Sequence, residues 1–276
     1  PTLEPGCGRG VFMALAPEDA TVTGVELDPT TAQVAQARFE GRHDVIGGSF
    51  ADTPIANGQA VTAIGNVPFG AYRLFDPSDN PGRRLSIHDH FLAKSARSLA
   101  PGGIGVMVTS RYSLDAIDPA GRAAIGAHAD FVGAVRLPSS AHVQEAGTQV
   151  VTDIVVFRGR AAGTPPSHVA GFVDQSPADV DGVRMSQYFV ANPGQILGEV
   201  TSRTGRYSTP EMHVVGSLDD ALARLPGALD HATGQYFEAE PGPLAAPASR
   251  DTEAPARVRD VPGSFRLNEA VPEVFE

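Results

Sequence analysis

The chain has 276 residues, enough for one large hydrophobic core or for one domain with an appendage. Its 21 basic and 32 acidic residues give a formal net charge of −11, which argues against tight, non-specific DNA binding by this chain alone. The single cysteine, Cys7, cannot form an internal disulfide and has no His/Cys cluster around it in the sequence, which indicates a reducing compartment and argues against a zinc site.

The sequence contains no apolar run of membrane-spanning length and no charged-then-apolar leader. We therefore expect a soluble, cytoplasmic protein without a membrane partner. The chain begins at Pro1, without Met, and its first residues already read as part of a structural element. We expect that the N-terminus is truncated and that an upstream piece of a longer protein is missing.

Three glycines mark the first turn of the chain: Gly6, Gly8 and Gly10 lie between an initial strand and a helix-compatible run. Glycines allow tight turns and let a ligand approach the backbone closely. A strand, a glycine turn and a helix N-terminus together form a cradle for a cofactor. The spacing here is Gly-x-Gly-x-Gly rather than the dinucleotide fingerprint Gly-x-Gly-x-x-Gly. A glycine turn that binds no ligand is the alternative interpretation.

The second predicted strand, residues 21–26, ends in the acidic residue Glu26. An acid at this place can accept hydrogen bonds from the hydroxyl groups of a ribose. NAD enzymes and S-adenosylmethionine enzymes share this device, so Glu26 indicates an adenosine group rather than a particular chemistry. Asp28 and Pro29 then suit the N-cap and the first position of a helix, which makes Asp28 a cap rather than a catalyst.

A third predicted strand begins at Val45 and runs into a loop that carries Phe50 and Asp52. These two residues fall where a nucleoside base would be held and where its exocyclic amine would be met. The alternative is a core phenylalanine and a solvated loop acid.

The fourth predicted strand, residues 60–64, leads into Gly65-Asn66-Val67-Pro68-Phe69-Gly70. The amide oxygen of Asn66 and a carbonyl of the turn can accept hydrogen bonds from an amino group. Pro68 fixes its own φ and favours an extended Val67, while Phe69 can stack on a planar heterocycle. The turn suits holding an amino nitrogen for attack. A strand followed by a proline turn with an aromatic plug is the alternative.

The remaining elements predict an α/β fold with a mostly parallel, seven-stranded, Rossmann-like sheet. The stretch 139–146 between the last two strands has little helical character, which favours an antiparallel last strand. His88 and His90, two residues apart, do not share a helix face, so we reject a metal pair there. Residues 71–86 are predicted to form a mobile loop, in which Arg73, Arg83 and Arg84 are available for phosphates. The remaining predicted elements are helices at 87–99 and 119–127 and strands at 104–109, 131–138 and 147–157.

The composition shifts near residue 159, where Pro, Gly, Ala and Ser increase and apolar runs shorten. We predict a domain over 1–158, a linker or irregular extension with short helices over 159–237, and a disordered tail or linker to a missing domain over 238–276. One helix is expected at 217–225, where Ser217 and Asp220 form a capping box.

Three motifs in this order resemble class I S-adenosylmethionine-dependent methyltransferases that methylate amino groups: Leu3 to Gly10, Gly24 to Asp28, and Asn66 to Phe69. The nearest likeness is the adenine-N6 DNA methylase module of large methylase–helicase polypeptides, the DarB-like antirestriction proteins of phages and conjugative elements. Further stretches share that resemblance, which covers about residues 1–158 and, more loosely, 184–200: 65–70, 87–94, 101–104, 134–138 and 147–154.

The resemblance implies S-adenosylmethionine as cofactor, no metal, and direct transfer of the methyl group to the N6 amine of adenine in DNA. The amine would be held by the turn Asn66, Val67, Pro68 and Phe69, with Phe69 stacked on a flipped adenine. The implied cofactor-binding residues are Glu4, Gly6, Gly8 and Gly10 for the methionine part, Glu26 for the ribose, Phe50 and Asp52 for the adenine, and Pro5 and Leu27 beside them.

Two departures from the family pattern bear on activity. Proline is the common residue where Val67 stands, and no basic, aromatic-rich region for target recognition is evident. DNA would then be bound with the help of missing domains, for example a C-terminal helicase. An amino-methyltransferase acting on RNA or on a protein glutamine, and an inactive cofactor-binding docking module, remain alternatives. The hypothesis requires that the glycine turn and the 66–69 turn open onto one crevice.

Overall fold

The computed structural model describes residues 1–80, 82–143, 147, 149–169, 171–173, 176–180, 182–205 and 209–239. All but the first two residues of the predicted tail at 238–276 lie outside this part of the chain. The helices that the structure describes include none that is both long enough and apolar enough to cross a membrane.

The elements alternate between strands and helices in the first part of the chain, as expected of an α/β fold. The strands are β1 Thr2–Pro5, β2 Val22–Glu26, β3 Asp44–Gly47, β4 Ala60–Asn66, β5 Arg73–Leu74, β6 Leu85–Ser86, β7 Leu99–Ser110, β8 Ala129–Arg136, β9 Thr152–Gly159, β10 Ala178–Val180, β11 Val183–Met185, β12 Glu199–Thr204 and β13 Pro210–Val215. The helices are α1 Val11–Leu15, α2 Pro29–Phe39, α3 Ile87–Ser98, α4 Tyr112–Asp115, α5 Ala120–Gly126, α6 Gln187–Ala191 and α7 Leu218–Ala239.

The central sheet has seven strands in the order β3-β2-β1-β4-β7-β9-β8. Neighbouring strands from β3 to β7 pair in parallel, whereas β9 is antiparallel to both β7 and β8. The predicted fold class is therefore confirmed: a mostly parallel, Rossmann-like sheet whose last strand is antiparallel. The sequence did not indicate that this last strand lies between β7 and β8.

Helix boundaries follow from local capping. The carboxylate of Asp28 accepts a hydrogen bond from the backbone N–H of Thr31 at 2.7 Å, so Asp28 is the N-cap of α2 as predicted. Ser86 Oγ accepts from the N–H of Asp89 and donates to its carboxylate, which caps α3. Helix α3 is buried over most of its length and lies against the sheet.

The strand after α3 begins at Leu99, five residues earlier than predicted. Helix α3 ends at Ser98, and the Pro101-Gly102-Gly103 stretch that was expected to stop it lies inside β7. A Cβ on Gly103 would lie 2.7 Å from the carbonyl oxygen of Ala60, so the close approach of β7 to β4 depends on this glycine. The pairing of β4 with β7 is irregular at this point.

The stretch 71–86, expected as a mobile loop, is anchored in its middle. Asp76 is 1% exposed, and Lys94 Nζ of α3 donates to its carboxylate at 2.8 Å. Burial opposes ionisation of Asp76, but the hydrogen bond from Lys94 lowers the pKa of Asp76 below its ordinary value. Asp79 also pairs with Lys94 and Arg97, although burial raises the pKa of this carboxyl. These ion pairs fix residues 76–80 against α3.

The extension beyond residue 159 packs against the sheet in its described parts. The ring of Phe172 stacks on that of Phe131 in β8 at 4.5 Å, and the hydroxyl of Tyr188 hydrogen-bonds both backbone groups of Ala134. Phe189 is fully buried in the same core. These contacts cover the outer edge of β8. The division of the chain at residue 158 stays a prediction.

The predicted helix at 217–225 is much longer, because α7 continues through Pro226 to Ala239. Proline and glycine disfavour a helix interior. Here the apolar positions Ala221, Ala228 and Ala232 are buried against β8, and a Cβ on Gly133 would meet the backbone of Ala232. Burial of this face outweighs the local propensity, a tertiary effect that the sequence window did not show.

Candidate active site

One crevice lies at the carboxyl ends of β1, β2 and β4, and we call it the Asn66 crevice. In open α/β sheets, ligands bind at such an edge where the strand order reverses; here the chain passes from β1 outward to β2 and β3, then back to β4. The crevice has a volume of about 300 Å³ and contains predicted residues from both halves of the site. Its lining residues are Gly6, Val25, Glu26, Leu27, Gly48, Ser49, Phe50, Asn66, Pro68, Tyr72, Leu74, Ile87 and Phe91.

The glycine turn adopts a backbone that only glycine takes readily. Gly6, Gly8 and Gly10 have φ values of 66°, 55° and 74°. A Cβ on Gly6 would lie 3.6 Å from the ring of Pro68, so this turn lies directly beside the turn after β4. Gly10 also allows close packing, because a Cβ there would lie 2.3 Å from the ring of Phe39.

Glu26 joins the loops after β1 and β2. Its Oε2 accepts a hydrogen bond from the N–H of Gly8 at 2.9 Å, and its Oε1 accepts from the N–H of Asp28 at 2.8 Å. A carboxylate has about four lone-pair positions. Lone pairs of Glu26 therefore stay available to hydroxyl groups of a ligand in the crevice.

Glu4 lies beneath the glycine turn rather than among the lining residues of the crevice. It is 2% exposed, and its Oε2 accepts a hydrogen bond from the N–H of Met13 at 2.9 Å. Burial raises the pKa of Glu4 to about 7, against the effect of the hydrogen bonds from the α1 backbone. Pro5, also predicted as a cofactor residue, is buried at the end of β1.

Cys7 is buried in the same turn. Burial, with the nearby carboxylates of Glu4 and Glu26, raises the pKa of Cys7 to about 12. The thiol is therefore protonated at neutral pH and is not a nucleophile.

The crevice has apolar surfaces suited to a flat ring. Leu27 is 67% exposed at its edge, while Phe50 is 3% exposed and packs on Phe91 with ring centroids 4.7 Å apart. Asp52 is exposed and does not belong to the lining residues of the crevice. Of the two residues predicted to hold a base, only Phe50 is therefore on the crevice wall.

Helix α3 supplies crevice residues that sequence reasoning placed only in a helix. Ile87 and Phe91 line the crevice, and Lys94 follows at the i+7 position on the same face. Lys94 Nζ donates to the carbonyl of Ala51 at 3.2 Å and lies 5.2 Å from the ring centre of Phe50. The 87–94 motif thus supports the loop that carries Phe50. The spacing of Ile87, Phe91 and Lys94 at i, i+4 and i+7 is the sequence pattern that places these three residues on one helix face.

The turn after β4 contributes to two cavities. Asn66 is exposed at the end of β4 and lines the Asn66 crevice, as does Pro68. Val67 is 1% exposed, and its N–H donates to the carbonyl of Val108 at 3.0 Å. Phe69 is 38% exposed and lines a second cavity of about 270 Å³, the Phe69 pocket.

The Phe69 pocket was not expected from the sequence. Its wall combines the ends of β7 and β9 with the hairpin formed by β12 and β13. The lining residues are Phe69, Ser110, Arg111, Tyr112, Ser139, Gln149, Val150, Val151, Arg203, Thr204, Glu211, Met212 and His213. In the described part of the chain, no group of three or more His, Cys, Asp or Glu residues is placed to hold a metal ion.

No protein-family model matches the chain, and no curated protein matches it. Solved structures with a similar fold include a Listeria monocytogenes protein described as a class I S-adenosylmethionine-dependent methyltransferase, with 15% identity over 60% of this chain and a TM-score of 0.45. A modification subunit attributed to a type I restriction enzyme of Vibrio vulnificus YJ016 has 16% identity over 58% of this chain and a TM-score of 0.47. The [4+2]-cyclase SpnF has 12% identity over 58% of this chain, 74% of its own length is covered, and the TM-score is 0.41.

The matched region spans 55% of the Listeria chain and 40% of the Vibrio chain. A fold of this kind can host many chemistries, so the fold by itself assigns no reaction to this chain.

Proposed function

We propose that this chain transfers the methyl group of S-adenosylmethionine to an amino nitrogen, and that the acceptor is the N6 amine of adenine in DNA. The observation that carries the proposal is the shared crevice. Gly6 and Glu26 from the first two loops and Asn66 and Pro68 from the turn after β4 line one cavity of about 300 Å³. Methyl transfer requires the cofactor and the acceptor amine in one cavity. Residues predicted for both roles line this crevice.

The residues of the crevice fit the chemical groups of this cofactor. Glu26 presents carboxylate oxygens to the two hydroxyls of a ribose. Leu27 and Phe50 offer apolar surfaces to an adenine ring, and the left-handed backbone at Gly6 leaves room for close approach of the methionine part. When bound, the cofactor supplies an electrophilic methyl group on a sulfonium.

The chain's own contribution to the reaction is positioning. The amide oxygen of Asn66 and a backbone carbonyl of the turn would accept hydrogen bonds from the two N–H groups of the amine, which aims the nitrogen lone pair at the methyl carbon. The N–C bond to the acceptor amine would form as the C–S bond breaks, with the bonding electron pair going to the sulfur. The amine then loses a proton to water, so neither a raised-pKa acid nor a metal is required.

The valine at position 67 is compatible with this role. Its N–H is bonded to Val108, and a proline there would lack that donor. This hydrogen bond holds the turn against β7. The sheet therefore restricts the backbone at Val67, as a second proline would do in the amino-methyltransferases that the motif resembles.

Adenine in DNA is favoured as acceptor because an exposed aromatic ring, Phe69, follows the amine-holding turn and borders a pocket of its own. The net charge of −11 argues against tight, non-specific DNA binding by this chain alone, so other domains of a longer methylase–helicase polypeptide would help to bind the strand. We include that arrangement, with its antirestriction role, in the proposal.

The test is methyl transfer from isotopically labelled S-adenosylmethionine to DNA, RNA and protein offered in parallel, followed by digestion and identification of the labelled base. We expect N6-methyladenine in DNA. Label found only in protein or only in RNA would contradict the DNA assignment, and cofactor binding without transfer to any acceptor in the presence of a helicase partner would favour a docking module.

A further inference from the structure

The Phe69 pocket is built largely from residues far from the crevice in sequence. Tyr112 follows β7, Gln149 precedes β9, and Arg203 and His213 come from the β12–β13 hairpin. The hairpin therefore forms one wall of the cavity onto which Phe69 faces. The sequence places this hairpin in an extension to which no role has been assigned.

The hairpin is anchored to the sheet domain. The N–H of Ser139 donates to the carbonyl of Val214 at 2.9 Å, and Ser139 Oγ accepts from the N–H of Val214 at 3.0 Å. Met212 and Val214 are 4% and 1% exposed and belong to the main core. The wall that Arg203 occupies is thus held in a defined position relative to Phe69.

The chemistry of the pocket suits a planar heterocycle. Phe69 and Tyr112 are 38% and 49% exposed, so both rings present free surface. The guanidinium of Arg111 lies 4.3 Å from the ring centre of Tyr112. Aromatic and guanidinium planes are the groups on which unstacked bases stack.

The polar groups of the pocket include hydrogen-bond donors from two arginines. Arg203 Nη1 donates to Gln149 Oε1 at 3.1 Å, which orients the amide so that its NH₂ group is available. Arginine has five N–H donors, so others remain for a ligand. The carboxylate of the lining residue Glu211, directly opposite Arg203 in the hairpin ladder, is an acceptor for an amino group.

We infer that the β12–β13 hairpin closes the pocket that receives the target nucleotide, and that Gln149 and Arg203 contact the base that stacks on Phe69. This inference rests on the proposed function, since it assigns the acceptor side of the same site. It makes the extension a target-recognition element, although the sequence shows no basic, aromatic-rich signature there.

The experiment measures binding of a short single-stranded oligodeoxynucleotide that carries 2-aminopurine in place of one adenine, using the full chain. Anisotropy of a terminal dye gives the Kd, and 2-aminopurine emission reports stacking of that base. We expect Arg203→Ala and Gln149→Ala each to raise the Kd about tenfold, as for loss of a hydrogen bond to a charged or ordered group. Both variants should reduce the emission change, while Arg203→Lys keeps part of the affinity.

Arg42→Ala is the matched control, because it removes one exposed positive charge far from the pocket and should leave the Kd unchanged. Circular dichroism of each variant verifies folding. An oligonucleotide Kd that is the same in wild type, Arg203→Ala and Gln149→Ala, or absence of binding by the wild type, would overturn the inference.

The two claims fail separately. Methyl transfer to DNA by the wild type, with unchanged transfer and Kd in both pocket variants, would overturn the role of the hairpin and leave the proposed function intact. Oligonucleotide binding that depends on Arg203 without any methyl transfer would support the hairpin and contradict the proposed function.

Discussion

The Asn66 crevice and the Phe69 pocket lie on two sides of one turn, yet they are built in different ways. The crevice is lined by residues from Gly6 to Phe91, which are consecutive strand ends, their loops and one helix. The pocket joins Phe69 to groups as distant as His213. The Asn66 crevice therefore follows from the local order of strands and helices. The Phe69 pocket depends on an extension that folds back on the sheet.

A buried ion cluster connects the extension to the sheet. Arg136 in β8 is 0% exposed, and its guanidinium donates to both carboxylate oxygens of Asp153 and to Asp115 at 2.7 to 3.0 Å. Burial alone would lower the pKa of Arg136, but the two carboxylates hold it above its ordinary value. Asp115 also accepts from the N–H of Ser186, and Arg136 Nη1 lies 3.1 Å from Met212 Sδ.

The largest effect is expected for Asn66→Ala, which should reduce methyl transfer without changing cofactor binding. We expect a loss of methyl transfer of about a hundredfold or more, because the amine is no longer held for attack. The Kd for the cofactor should stay near wild type, as measured by calorimetry. Asn57→Ala, at the other end of β4, is the control. Loss of cofactor binding in Asn66→Ala would show that the turn belongs to the cofactor half of the site.

Arg136→Met tests whether the pocket side depends on the ion cluster. Removing the cation leaves the buried carboxylate of Asp153 without its partner, while Asp115 keeps its pair with Arg111. We expect this to lower the free energy of unfolding by about 3–5 kcal/mol. Below the unfolding transition, oligonucleotide binding should weaken more than cofactor binding. Urea unfolding measures the stability.

The control for that variant is Arg83→Met, whose pair with Asp118 is about half exposed, so a change within about 1 kcal/mol is expected. Equal losses in the two variants would contradict a special role of the buried cluster.

Glu26→Gln affects the crevice alone. The substitution keeps the shape and removes the charge that hydroxyl donors of a ribose would meet, so we expect the Kd for the cofactor to rise about tenfold. The oligonucleotide Kd should not change. Titration calorimetry gives the first value and anisotropy the second; an unaffected cofactor Kd would remove Glu26 from the site.

The smallest effect concerns Glu4 and pH. Its pKa in the folded chain, about 7, lies above the ordinary value of 4.5, so the folded state binds more protons than the unfolded state between these values. Stability therefore falls as pH rises from about 4.5 to about 7. Glu4→Gln should remove this decline and make the urea midpoint of the variant, relative to wild type, higher at about pH 8 than at about pH 5. A pH-independent difference would contradict the raised pKa.

The sequence predicted much of the first region because its signals are local. Apolar runs of strand length, the Asp28 cap and the positions of Gly6, Glu26 and Asn66 at strand ends were readable within short windows. Parallel strands place their carboxyl ends at one edge, so residues that follow them converge without further information.

Several assignments needed coordinates. Asp52, predicted to meet the adenine, is an exposed residue outside the lining of the crevice, and the Cα of Gly10 lies against the ring of Phe39. Lys94 was only a helix residue until its ion pairs with residues 76–80 were visible. Long-range pairs such as these leave no periodic trace in the sequence.

The amino-acid sequence by itself determined the α/β class, the antiparallel last strand, the glycine turn and the proline turn at 66–69, because each arises from hydrophobic period, backbone freedom or capping within a few residues. Only the tertiary structure decided that α7 runs through Pro226, that residues 76–80 are anchored, and that Arg203 lies in the same pocket as Phe69. These features depend on burial and ion pairing between distant segments, and such contacts exist only once the sheet has brought the segments together.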